Sequence, residues 1–256
     1  MSGSHALSEI GLAGDPASPI HRLDPRAKVI GFIGITLVAV SASLESWPAY
    51  AGCAAALAAL AAVGRVPPTA VWRRARLVLP IVLLAAAFLP FVRGGEAVLA
   101  IGPLTVSREG LAIFATVAAK ATIGTVSAVL LGATTAFPDI LRALERLRVP
   151  RVFTLVSAFM YRYLFVIAAE VRRMRSALAA RAYRPRTALG AAALGRLVTA
   201  LFLRSHARGE RVYLAMVSRG YAGSMPRAGE LAFARADLAF LAALGALLIP
   251  LRAVGL

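Results

Sequence analysis

The stretch "RVFTLVSAFMYRYLFVIAAEVRRMRSALAARAYRPR", Arg151 to Arg186, meets neither a glycine nor a proline until Pro185. Pro150 just ahead of it suits a helix's first turn, so the spacing predicts one helix of more than thirty residues. It is oily and strongly basic at once. Leucine, valine, phenylalanine and tyrosine recur between the arginines, which excludes a disordered basic tail. Such a helix needs an apolar surface to lie against.

Composition supplies that surface. Of the 256 residues, 59% are hydrophobic, which points to an integral membrane protein rather than a soluble domain. The net charge of +17 comes almost wholly from arginine, for Lys28 and Lys120 are the only lysines. Guanidinium forks suit carboxylate, phosphate or helix-end partners. Cys53, the one cysteine, lies in an alanine-rich run and reads as a small buried thiol, so one chain forms neither a disulfide framework nor a thiolate metal site. The first residues, Met1 to Asp24, lack a basic region followed by an apolar core, and no cleavable signal peptide is predicted.

Working back from Arg151, four apolar stretches fill the first half: Ala27 to Leu44, Tyr50 to Val63, Leu77 to Val92 and Leu111 to Ala133. A bilayer core takes about 17 to 25 helical residues, so the second and third must borrow flanks such as Trp47 and Trp72. Arginines 65, 73, 74 and 76 follow the second stretch, while only Glu45 follows the first; the positive-inside rule then makes the N-terminus cytoplasmic. Arg93-Gly94-Gly95 and Gly102-Pro103 form an outer loop.

Working forward, residues Phe137 to Arg227 hold seventeen arginines and four carboxylates. A second long helix, from about Thr187 to Arg219, carries Leu194, Leu197, Val198 and Leu201 on one face and Arg204, Arg208 and Arg211 on another. Gly220 stops it. A last apolar run, Leu238 to Leu251, is assigned as transmembrane. The expected fold is therefore all-α: a polytopic membrane helix bundle in three parts. Residues 1–136 hold about four transmembrane helices, 137–230 the arginine-rich cytoplasmic helices, and 231–256 the C-terminal span.

Catalytic patterns are scarce. There is no Gly-x-x-x-x-Gly-Lys-Ser/Thr loop, no His-x-x-x-His pair and no Gly-x-Ser-x-Gly elbow. No enzymatic activity, bound cofactor or metal ligand is expected. In "HRLDPRAK", His21 to Lys28, Asp24 reads as a helix cap with Pro25 in the first turn, and the cations as headgroup anchors. Lys120, inside the fourth apolar stretch, reads as an amine near a helix carbonyl. Arg162 pairs with a carboxylate or a headgroup, or serves a partner. Nucleic acid is not the expected partner, because the arginines are spaced along amphipathic helices rather than clustered with stacking aromatics.

The helix ends are distinctive. One finishes Ala180-Arg181-Ala182 before Tyr183, the other Ser218-Arg219-Gly220 before Tyr221. Small neighbours let a backbone enter a narrow groove where one guanidinium makes directional bonds. In these tips the chain resembles the CbiQ/EcfT family, the transmembrane T component of energy-coupling-factor transporters, whose two Ala-Arg-Gly motifs end long coupling helices. The first motif departs at its third position and the second at its first; both arginines are kept. "HRLDPRAK", "FMYRYL", "RAYRPR" and "RVYLAMVSRGYAG" also look family-like, the last resembling the cobalt or nickel branch. The resemblance implies a non-catalytic scaffold in the bacterial-type inner membrane. Its partners would be two ATP-binding cassette subunits that carry the ATP and Mg, docked on Ala180–Ala182 and Ser218–Gly220, together with a small substrate-capturing membrane subunit and lipid. The expected cargo is cobalt or nickel. A vitamin transporter and a conventional ABC permease are the rival readings, with a membrane-embedded enzyme further off.

Overall fold

The computed structural model describes residues 18–44, 46–88, 97–101, 104–181, 188–223 and 233–254. Among them the helices are α1 (Pro19–Arg22), α2 (Pro25–Ser41), α3 (Trp47–Val63), α4 (Pro68–Ala86), α5 (Arg108–Thr134), α6 (Phe137–Arg146), α7 (Arg151–Ala180), α8 (Ala188–Val217) and α9 (Arg235–Val254). A short antiparallel hairpin, β1 (Ala97–Ile101) with β2 (Leu104–Ser107), precedes α5 and pairs Ala100 with Thr105. The helical bundle is as the sequence predicts; the hairpin is an addition within the predicted outer loop. The chain divides into two compact units, residues 1–147 with 231–256, and residues 148–230.

Starts and stops follow local chemistry. Pro25, Pro48 and Pro68 sit in the first turns of α2, α3 and α4, where a missing N–H costs nothing. Ser107 caps α5 by accepting from the Gly110 N–H at 3.0 Å. The second and third apolar stretches lengthen as expected, with Trp47 opening α3 and Trp72 inside α4. The last run grows from fourteen residues to the 20 of α9, long enough to span. By length and composition three described helices can cross a bilayer: α5, α7 and α9 over Arg235–Ala253; α3 is shorter. The apolar length of α7 lies inside the segment assigned above to the cytoplasmic helices.

In the first unit, α2 is the hub, packed on α3, α5, α6 and α9. Its inward residues Phe32, Ile35 and Ala39 join Tyr50, Cys53 and Leu57 of α3, Ile123 and Leu130 of α5, and Leu244 and Leu248 of α9 in one core. Its outward residues Ile30, Ile33, Leu37 and Val40, spaced three and four apart, are equally apolar and exposed. A helix apolar on every side belongs in hydrocarbon.

Close approach fixes α9. A Cβ on Gly31 would lie 3.0 Å from both Leu244 Cδ2 and Phe240 Cε1, and one on Gly52 would lie 2.6 Å from the Leu251 methyls. Small residues here replace the hydrophobic drive that lipid removes. Gly31→Leu is therefore expected to destabilise the bundle by about 1–3 kcal/mol through overpacking, read as a lower midpoint of thermal unfolding in detergent. An unchanged midpoint refutes the tight α2–α9 contact.

Candidate functional site

The second unit consists of α7 and α8, each 30 residues long. They meet near their midpoints. Glu170 of α7 binds Arg173 on its own helix and Arg204 of α8. Beside this bridge, Phe159, Tyr163 and Ile167 face Ser205, Arg208 and Gly209 across a cleft of roughly 360 Å3. Beyond Glu170 α7 runs on to Ala180, roughly 15 Å at 1.5 Å per residue, and beyond Arg204 α8 runs on to Val217, roughly 20 Å. Two stiff arms result, each with its last turn far from the crossing.

The arms end differently. Gly220 adopts φ +82°. Its N–H donates to Val217 O at 2.9 Å, and the Tyr221 N–H donates to Met216 O at 3.0 Å. These two bonds form a Schellman stop, which needs the left-handed conformation that glycine adopts without strain. The arm of α7 closes at Ala180, earlier than the predicted stop at Pro185 and at 30 residues rather than more. Arg181 there has φ −90° and donates its N–H to Leu178 O at 3.1 Å. Ala182 lies outside the described residues. Ala180, Arg181, Ser218, Arg219 and Gly220 are all exposed. Neither the Arg181 nor the Arg219 guanidinium meets a hydrogen-bond or ion-pair partner among the described residues.

Both long helices also leave apolar side chains open to the outside. Phe153, Val156, Met160 and Leu164 of α7 are exposed, as are Leu194, Val198 and Phe202 of α8. Leu197 and Leu201 are half-buried. Arg162 lies 6.0 Å from the Tyr163 ring centroid, a weak cation–π contact at an exposed site.

The first unit holds a polar tie that ordinary pattern reading sees only in part. Asp24 does cap α2, accepting from the Arg26 N–H at 2.8 Å. Lys28, however, is not a headgroup anchor: it is 2% exposed and donates from Nζ to His21 O and Thr134 O, each at 3.1 Å. Thr134 O at the end of α5 is one of the carbonyls a helix terminus leaves open, and the buried amine satisfies it. Asp237, 2% exposed, accepts from the Ala234 N–H at 2.8 Å and from the Asp24 N–H at 2.7 Å. This ties the start of α9 to the start of α2. Asp237 was legible only as an acid in a helix's first turn, reaching back as in a capping box; its second bond spans 213 residues. Lys120 answers at the other end of α2, donating to Val40 O at 2.8 Å and Ala42 O at 3.0 Å. The Tyr50 hydroxyl joins it on Ala42 O at 3.2 Å and donates to Ser43 O at 2.9 Å. The amine does sit on helix-end carbonyls, as the sequence suggests.

Helices with lipid-compatible outer faces and ends satisfied from within define a polytopic membrane helix-bundle protein. The family model CbiQ, described as cobalt transport protein, matches residues 16–228. Similar proteins include the "Putative fused cobalt transport protein CbiMQ" of Methanocorpusculum labreanum, 25% identical over 86% of this chain and 37% of that one. A "Putative ABC transporter ATP-binding protein" of Bifidobacterium longum is 28% identical over 91% and 32%. The cobalt transport protein CbiQ of Rhodobacter capsulatus is 27% identical over 75% and 77%. The chain spans about a third of the length of the first two relatives. It belongs to the CbiQ family.

Two outcomes check this geometry. Gly220→Ala forces a Cβ into the left-handed region at a cost of about 1–2 kcal/mol, so amides of residues 216–221 should exchange hydrogen faster while those of α2 keep their protection. Lys28→Met strands the buried Thr134 and His21 carbonyls at about 1–3 kcal/mol, visible as a lower unfolding midpoint in detergent; a midpoint equal to the wild type's means the amine is not holding them.

Proposed function

We propose that this chain is the energy-coupling membrane scaffold of an energy-coupling-factor importer, linking two cytoplasmic ATP-binding cassette subunits to a substrate-capturing membrane subunit for uptake of cobalt or nickel ions. The observation that carries the reading is the pair Arg181 and Arg219, unpartnered among the described residues and each at the exposed tip of a 30-residue helix. A motor subunit that seats such a tip moves a rigid arm rather than a loop, and displacement reaches the crossing at Glu170 undamped. Membership of the CbiQ family supports the cargo class, and the names of two relatives pair similar sequence with CbiM and with an ATP-binding protein. The ATP and Mg belong to the partner subunits, and this chain acts without chemistry of its own.

In this assembly Ala180, Arg181 and Ala182 enter one ATPase groove and Ser218, Arg219 and Gly220 the other. The Schellman stop gives the second tip a fixed turn within which the Arg219 side chain projects. The exposed apolar faces of α7 and α8 receive the substrate subunit or the membrane surface. The N-terminus is cytoplasmic: arginines 65, 73, 74 and 76 follow α3 or lie in the first turns of α4, and the starts of α2 and α9 share the Asp24–Asp237 bond with the end of α5 close by.

Arg181→Ala and Arg219→Ala should each weaken ATPase attachment, since truncating one partner of a buried charged hydrogen bond costs about 2–5 kcal/mol. Co-purification of the tagged chain with its ATPases from detergent measures this, and full retention by the double variant rejects the docking role. Leu197→Glu should impair metal uptake while leaving part of the ATPase bound; normal uptake counts against the apolar stripe as a coupling face.

A further inference from the structure

In the second unit, the cleft of roughly 360 Å3 between α7 and α8 begins beside the Glu170–Arg204 bridge. Clefts of about 300–1,000 Å3 hold small ligands. Its two walls differ in kind. The α7 wall is a single stripe at helical spacing, running from Val156 through Phe159 and Tyr163 to Ile167, with the Phe159 and Tyr163 rings stacked 6.3 Å apart. The α8 wall is one turn, Ser205, Arg208 and Gly209: a hydroxyl-bearing residue, a cation and a residue without a side chain.

The apolar wall fits a lipid chain in length and in access. From Val156 to Ile167 it measures about 16 Å at 1.5 Å per residue, and one leaflet's share of a hydrocarbon core about 30 Å thick is about 15 Å. Val156 and Met160 belong both to the cleft and to the exposed apolar row of α7, so the cleft opens onto a face that hydrocarbon can cover. The polar wall selects charge. Arg208 lines the cleft and yet is exposed, as when an arginine lays its methylenes on an apolar surface and keeps its head at the rim. No described residue pairs with it, and its own unit has no carboxylate to spare: between Arg148 and Gly223 the only ones are Glu170, bound to Arg173 and Arg204, and Glu210, 3.7 Å from His206.

We propose that this cleft binds one anionic phospholipid drawn from the surrounding leaflet, an acyl chain lying along Phe159, Met160 and Tyr163 and the phosphate oxygens accepting from Arg208 and the Ser205 hydroxyl. A soluble anion leaves the apolar wall bare, and an uncharged lipid covers that wall but leaves Arg208 without its counter-charge. A partner helix is too thick: one turn, about 10 Å across and 5.4 Å long, already occupies roughly 420 Å3. The site does not depend on what docks at Arg181 and Arg219, so the chain alone suffices to test it, and failure of the test leaves that docking standing.

The full chain carrying Trp47→Phe, Trp72→Phe and Phe159→Trp has one tryptophan, set in the cleft wall. It is placed in phosphatidylcholine nanodiscs doped with phosphatidylglycerol or phosphatidylcholine carrying brominated acyl chains, and quenching of its fluorescence is followed against mole fraction. Brominated phosphatidylglycerol is expected to half-quench at a mole fraction about fivefold lower than brominated phosphatidylcholine, the discrimination one arginine near the surface provides. Arg208→Gln should bring the two lipids together, whereas Arg196→Gln, at an exposed position of α8 outside the cleft, should keep them apart. Gly209→Leu should reduce quenching by both: a Cβ there meets nothing within 4 Å, and leucine is the better helix former, so the cleft narrows while α8 stays folded. Equal quenching by the two lipids overturns the proposal, as does a preference that survives Arg208→Gln or falls as far with Arg196→Gln, which marks diffuse attraction to a basic surface. Quenching by both lipids that is unchanged in Gly209→Leu also overturns it. So does loss of the preference on adding soluble inorganic phosphate, which marks a plain anion site, or loss of all quenching beside a co-purified membrane subunit, which marks a protein interface.

Discussion

Hydrocarbon offers no hydrogen bonds, so a helix crossing it must have both ends satisfied by the protein itself. That constraint organises the first unit around α2. At one end Asp24 caps the helix, Asp237 accepts the Asp24 amide, and Lys28 fills the carbonyls of His21 and Thr134. At the other end Lys120 and Tyr50 take up the carbonyls of Val40, Ala42 and Ser43. Partners in these bonds come from α3, α5 and α9, so closing the ends of α2 also fixes where those helices stand. The buried amine of Lys28 and the half-buried one of Lys120 are what hold the bundle in register.

The second unit answers to a different requirement. An arm must be stiff and must end sharply, and the two ends meet this unequally. Gly220 gives α8 a Schellman stop without strain, whereas α7 closes on Arg181 in an ordinary right-handed conformation. Glu170 supplies the cross-brace where the arms meet, bonded to an arginine of each. In a stretch with seventeen arginines and four carboxylates, placing one of those carboxylates at the crossing concentrates the scarce negative charge where it locks geometry. The proposed transport role needs that economy: guanidinium groups such as those of Arg181 and Arg219 stay available to partners and headgroups.

Apolar length and arginine placement were legible from residue order alone. The two long helices, the Asp24 cap, the Gly220 stop and the contact of Lys120 with helix-end carbonyls all depend on neighbours within a turn or on the solvent the segment must enter. The hairpin escaped, because Ala97–Ile101 is uniformly apolar and Leu104–Ser107, which does alternate, is too short to carry a strand period by itself. The apolar character of α7 was visible, but length and composition alone would also permit it to cross a membrane.

The sequence by itself determined the class, the number of long helices and the positions of the two arginine tips, since helix propensity, breakers and transfer into lipid are local properties. Only the tertiary structure decided that Lys28 turns inward and that Asp237 bonds an amide 213 residues away. Those outcomes turn on which helix ends come together, and the pairing energy of distant groups leaves no mark on the residues that flank them.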